Sequence, residues 1–140
     1  MKELATQEPV MMRGTTERIT MAAAGEYPLV ITYAHSLQRM VSQGASIDWV
    51  ALEPTVVEID PLMISAKALH PHAARLFLNF LLSKEGQEML VRLERIPIRR
   101  DVQPQPARLF RGYQRNVERP DDYKHFSENV KLFETIFKTR

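Results

Sequence analysis

Two short stretches hold the residue types best suited to binding. One is Tyr33-Ala34-His35-Ser36, which offers a phenol, an imidazole and a hydroxyl where an apolar run gives way to a helical pattern. Open α/β sheets bind ligands at such points, outside the carboxyl ends of strands and against helix N-termini. His35 and Ser36 could contact a solute there, or His35 could simply make a loop hydrogen bond. Tyr33 phenolate with His35 imidazole is also a donor pair for iron or another metal. The other stretch is Arg13-Gly14-Thr15-Thr16. Its guanidinium, hydroxyls and free backbone N–H groups suit an anion. The plainer reading makes Thr15 or Thr16 an N-cap and leaves Arg13 in solvent.

The remaining candidates are weaker. His70-Pro71-His72 places two imidazoles around a proline with no carboxylate at a useful spacing, and His125 falls on the polar side of a helical pattern. The sequence has no G-x-S-x-G, H-E-x-x-H, phosphate loop or G-x-G-x-x-G, the motifs that would specify acyl transfer, zinc hydrolysis or nucleotide binding. His35 and Ser36 are neighbours in sequence, which is not triad geometry. With no cysteine, thiolate metal sites, disulfides and thiol catalysis are excluded. The expectation is a binding protein without enzymatic activity and without a resident cofactor.

The elements that must position these residues can be read from the pattern. A strand over Val10–Met12 and a break at Arg13-Gly14 lead to a helix ending at Ala24, before Gly25. The continuous apolar, β-branched run Pro28–Tyr33 predicts a strand buried on both faces. A helix over Ser36–Gln43, stopped by Gly44, and a strand over Ile47–Leu52 carrying a core Trp49 follow. Such alternation implies an α/β layer with a short, largely parallel sheet. Val56–Ile59 and Leu62–Ser65 read as extended. The second half reads as helical: one helix begins at Pro71 with an apolar stripe of Ala73, Phe77, Phe80 and Leu81, and Ala74, Leu78 and Leu82 lie beside it. Ser83 starts a second helix with Met89, Leu90 and Leu93 inward. Gln103–Arg119 reads as an irregular crossing. Asp121 or Asp122 caps a last helix carrying Tyr123, Phe126, Val130, Phe133 and Phe137.

A length of 140 residues fits one ordinary domain, and 44% hydrophobic with 26% charged residues is a globular composition. No apolar run reaches the roughly 20 residues of a membrane-spanning helix, and MKELATQEP lacks a signal peptide's apolar core. Net charge is +2, yet Arg92–Arg119 holds eight arginines against three acids. That excess reads either as an anion or nucleic-acid surface or as a solvated outer face. The solvated face is preferred, with no nucleic-acid partner, because aromatic residues are not interleaved with the arginines as stacking would require.

Six segments, in order, resemble bacterial extracytoplasmic solute-binding proteins of ABC importers, in the branch that includes the ferric-iron binders. They are Gly25-Glu26-Tyr27 through Ser36; Gln43-Gly44-Ala45-Ser46-Ile47-Asp48-Trp49-Val50; His70-Pro71-His72-Ala73-Ala74; Phe77–Ser83 with Lys84-Glu85-Gly86-Gln87; Ile96-Pro97-Ile98-Arg99; and Asp122–Phe137. The resemblance implies a periplasmic-binding-protein-like fragment of type II, the C-terminal portion of a two-lobed protein. Residues 1–54 would belong to the second α/β lobe, 55–65 to the hinge or crossover strands, and 66–140 to the helical C-terminal part of the first lobe.

It also implies an extracytoplasmic, periplasmic location and capture of a small solute for the membrane subunits of an ABC permease. Ferric iron or another small, often anionic, solute is then the cargo to test. Ferric-iron members use a tyrosine pair near the Tyr33 position, where this chain has Tyr33, His35 and Ser36. The predicted ligand set is Arg13, Thr15, Tyr33, His35 and Ser36. As family members are typically at least twice this long, the apolar stripes would lack part of their sheet, and self-association into a homo-oligomer is expected. Two alternatives stay open: the effector-sensing domain of a transcription regulator with the same fold, and a truncated paralogue that binds nothing.

Overall fold

In the computed structural model, which describes residues 1–138, two helices form an elbow: α4 (Pro71–Leu82) is followed at once by α5 (Lys84–Arg92). Pro71 opens α4 at the first helical position, where a missing N–H costs nothing. Ser83 is extended, with ψ 164°, and forms the corner. Its hydroxyl donates to the Phe80 carbonyl at 2.6 Å and accepts from the Gly86 N–H at 3.1 Å. Gln87, only 2% exposed, ties the corner to the chain beyond it. Its Nε2 donates to the Leu81 carbonyl and its Oε1 accepts from the Ile98 N–H, both at 2.7 Å. The S-K-E-G-Q and I-P-I-R segments are thus one hydrogen-bonded unit. The expected α4 stripe is half covered: Phe80 and Leu81 are half-buried, but Ala73 and Phe77 are exposed (Phe77 at 61%), and Ala74 and Leu78 beside them are half-buried instead.

The N-terminal half supplies α1 (Lys2–Ala5), α2 (Thr15–Ala23) and α3 (Ala34–Ser42). Gly14, at φ 86°, is the residue before α2. Neither Thr15 nor Thr16 caps this helix, because the left-handed turn that glycine permits has already set the chain's direction. Helix α3 starts two residues earlier than its pattern predicts, with extended Tyr33 in front. Its end is closed by hydrogen bonds from Gly44 to Val41 and from Ala45 to Met40. Helices α2 and α3 pack together, and each buries one apolar residue, Ile19 and Leu37. A 3₁₀ turn, Ala107–Leu109, packs on α3 and buries Leu109 completely.

The sheet departs most from expectation. Among the described residues it has two strands, β1 (Thr55–Val57) and β2 (Arg115–Val117), paired in parallel with Thr55 opposite Arg115. Val10–Met12, Pro28–Tyr33 and Ile47–Leu52 form no ladder. Leu29 (89% exposed) and Val50 (84%) lie in two of these runs, with Ile31 and Leu52 exposed beside them. Exposed and half-buried residues alternate along both runs, as in strands covered on one side, but the unpaired edge has no neighbour.

Trp49 accordingly lies outside any strand and is half-buried. Its Nε1 donates to Gln38 Oε1 at 3.1 Å, and the Arg108 guanidinium covers its ring at 4.5 Å while pairing with Asp48 at 2.8 Å. Tyr123 belongs to a 3₁₀ turn (Pro120–Tyr123), and the last helix, α6 (Phe126–Phe137), begins later. Its Phe133, Ile136 and Phe137 are half-buried on the helix that packs against α1, while Phe126 and Val130 are exposed.

Candidate functional site

A cleft of about 270 Å³ lies between α2, α3 and the turn that follows α5. Helix α3 provides most of it. His35, Ser36, Arg39, Met40 and Gln43 all line the cleft, and at about 100° per residue they form one stripe. Helix α2 contributes Thr16 and Ile19. The third wall, Leu93 and Arg95, depends on a chain reversal at Glu94, whose φ is 57°. The Arg95 N–H donates back to the Leu90 carbonyl at 2.9 Å, and the turn carries the Arg95 side chain across to α3.

There Arg95 Nη1 meets His35 Nε2. A guanidinium can only donate, so Nε2 is the acceptor and the neutral ring carries its proton on Nδ1. Burial lowers the His35 pKa below its ordinary 6.5, and the Arg95 charge lowers it further; Asp60 opposes both weakly. The Tyr33 ring stacks on the imidazole at 5.6 Å with the planes 23° apart. The nearby Glu58 carboxylate raises the tyrosine pKa. Positive charge thus collects at Arg39 and Arg95, and acidic charge beyond Tyr33.

The His35 shift has a consequence for stability. The unfolded chain binds a proton near pH 6.5 and the folded chain binds it only at lower pH, so stability rises with pH across that interval. Its contribution is complete above about pH 6.5 and is lost as pH falls through the folded value. The urea midpoint is expected to drop as pH falls below about 6.5, ahead of the carboxylates. His35→Gln should flatten that drop, and an equally steep drop in the variant would assign it elsewhere.

Of the residues predicted from sequence, His35 and Ser36 line the cleft and Tyr33 flanks it. Arg13 is exposed before α2, and Thr15 is half-buried in its first turn. Neither lines the cleft; their neighbour Thr16 does. Tyr33 and His35 are stacked, and Nε2 is engaged by a cation, so these donors do not converge on one point. Among the described residues, no group of three or more His, Asp or Glu could hold a metal ion. His70 and His72 are exposed, and His125 pairs with Glu128 at 3.1 Å.

Sequence reasoning missed Arg39, Gln43 and Arg95 as a group. The i, i+4 spacing of His35, Arg39 and Gln43 was a usable signal. Arg95 carried only its membership of the arginine-rich segment.

A helix-rich chain with a small two-stranded parallel sheet and an open polar cleft along one helix is compatible with an α/β fold. The model for the family of bacterial extracellular solute-binding proteins matches residues 2–92, and the chain belongs to that family. No curated protein and no solved structure matches. The chain is therefore a binding component of a transport system, taking a small ligand and working with transporter parts, and its family points to a place outside the cytoplasm. Among the described residues no helix is long and apolar enough to cross a membrane.

Proposed function

We propose that the chain captures a small anionic solute in the cleft of α2, α3 and the Leu93–Arg95 turn, for delivery to the permease of an ABC importer in the periplasm. The observation that carries this is the pair Arg39 and Arg95, which share the cleft with no acidic residue in its lining. Neither has a carboxylate partner among the described residues. Ser36 adds a hydroxyl in the first turn of α3, near the positive end of the helix. Ferric iron is less well served, because Glu58 disfavours the Tyr33 phenolate and Arg95 holds the His35 nitrogen. The reading as a binder rather than a catalyst rests on family membership.

The proposal keeps the expected place of the chain as the C-terminal part of a two-lobed protein, with residues 55–65 as the crossover. Its exposed Leu29, Ile31, Val50 and Leu52 favour association with a second copy, which solution mass would reveal.

Thermal unfolding against phosphate, sulfate, ferric citrate, ferric chloride with carbonate, thiamine derivatives and polyamines tests the reading. An anion at 100 times its Kd should stabilise by about 2.7 kcal/mol. Arg95→Ala should weaken binding roughly tenfold to a hundredfold, the loss of a charge-assisted hydrogen bond. A shift confined to iron or polyamines, or an anion shift unchanged in Arg95→Ala, would overturn it.

A further inference from the structure

Resting on that reading of the cleft, we infer that the solute is a small organic anion, a carboxylate or phosphate ester with an apolar body, rather than a bare inorganic oxyanion. The cleft is two-sided in chemistry. Arg39, Arg95 and Ser36 supply donors, while Met40 and Leu93 supply an apolar side; Ile19, also at the cleft, is itself buried. Leu93 is 59% exposed and lines the same cleft as the Arg95 guanidinium that His35 engages. One Arg95 N–H is taken by His35 Nε2, which leaves other N–H groups of the fork free for a bidentate anion.

Size points the same way. A volume of about 270 Å³ corresponds to several waters at roughly 30 Å³ each. An inorganic phosphate bound by the two arginines would leave the Met40–Leu93 wall wet. An attached ring or short alkyl chain would cover that wall and gain the transfer free energy of its carbon surface.

Calorimetric titration of the full chain with inorganic phosphate, phenyl phosphate and benzoate separates the possibilities. Phenyl phosphate is expected to bind at least tenfold more tightly than inorganic phosphate. Leu93→Ser, at an exposed position that should not threaten folding, is expected to narrow that gap to threefold or less. Arg95→Ala should weaken both phosphates. Equal affinities for phosphate and phenyl phosphate would overturn the organic-anion inference and leave the anion site standing. A preference for phenyl phosphate untouched by Leu93→Ser would also overturn it, by placing the apolar contact elsewhere. Binding of none of the three probes, with the unfolding midpoint of the chain intact, would overturn both the inference and the reading beneath it.

Discussion

Gly86→Ala is expected to destabilise the chain by about 3 kcal/mol or more, at the upper end of overpacking costs. The sign is unusual. Gly86 lies within α5, and exchanging a helical glycine for alanine ordinarily stabilises by up to about 1 kcal/mol. Here a Cβ would be driven onto the carbonyl oxygen of Phe80 and would come within 2.9 Å of Leu81 Cα. Both are backbone atoms, so no rotamer change can relieve the clash. Moving them would open the elbow and break the bonds that hold it: Ser83 to Gly86, Gln87 to Leu81, and Gln87 to Ile98.

Urea denaturation of Gly86→Ala beside Glu88→Ala makes the comparison. Glu88 loses only an exposed pairing with Lys84 at 3.8 Å, worth roughly 0.3–0.5 kcal/mol. Equal midpoints for the two variants would show that the elbow is not closed around Gly86.

The elbow was legible in the sequence because its determinants are local. Pro71 and Ser83 act within one turn of where they stand, and Gly86 meets Leu81 and Phe80 only five and six residues back. The sheet was not legible, for the opposite reason. P-L-V-I-T-Y and I-D-W-V-A-L have strand composition, yet a strand exists only where another backbone pairs with it, and neither run finds one. Arg115–Val117 has no apolar alternation at all, but Thr55–Val57 lies alongside it, and the Gln114 carbonyl and the Glu118 N–H complete the ladder at 2.9 and 3.0 Å.

The same distinction divides the site. Tyr33, His35 and Ser36 could be found from the transition between an apolar run and a helix. Arg95, 60 residues from His35, reaches it only because Glu94 takes a left-handed turn after α5, and no spacing in the sequence encodes that meeting. The half-covered stripe of α4, with Phe77 exposed and Ala74 half-buried, shows the limit of periodicity. It finds an apolar helix but does not choose which side of a wide stripe will find cover.

Leu109→Ala is expected to cost about 2–5 kcal/mol, the range for emptying a buried leucine site, and to weaken solute binding as well. Leu109 is wholly buried, and among the described residues the other buried aliphatic side chains are Ile19, Leu37 and Val102, so its loss removes much of a small core. Its position links stability to the cleft. On α3, Leu37 and Gln38 point roughly opposite to the stripe His35, Ser36, Arg39, Met40 and Gln43, given about 100° per residue. The 3₁₀ turn bearing Leu109 packs on this helix, and Trp49 is bonded to Gln38. Leu109 therefore supports α3 from behind the cleft. A cavity there frees the helix to shift, and with it His35, Arg39 and their distance to Arg95. Leu109→Met keeps the volume and should cost under about 1.5 kcal/mol with anion affinity preserved. Phe77→Ala, at an exposed site, should change stability by under about 0.5 kcal/mol and leave binding alone. The decisive comparison is anion affinity at a temperature where all three variants are folded. A several-fold loss confined to Leu109→Ala supports the coupling. An unchanged affinity in that variant, despite the lower midpoint, would show that α3 is held in place without Leu109.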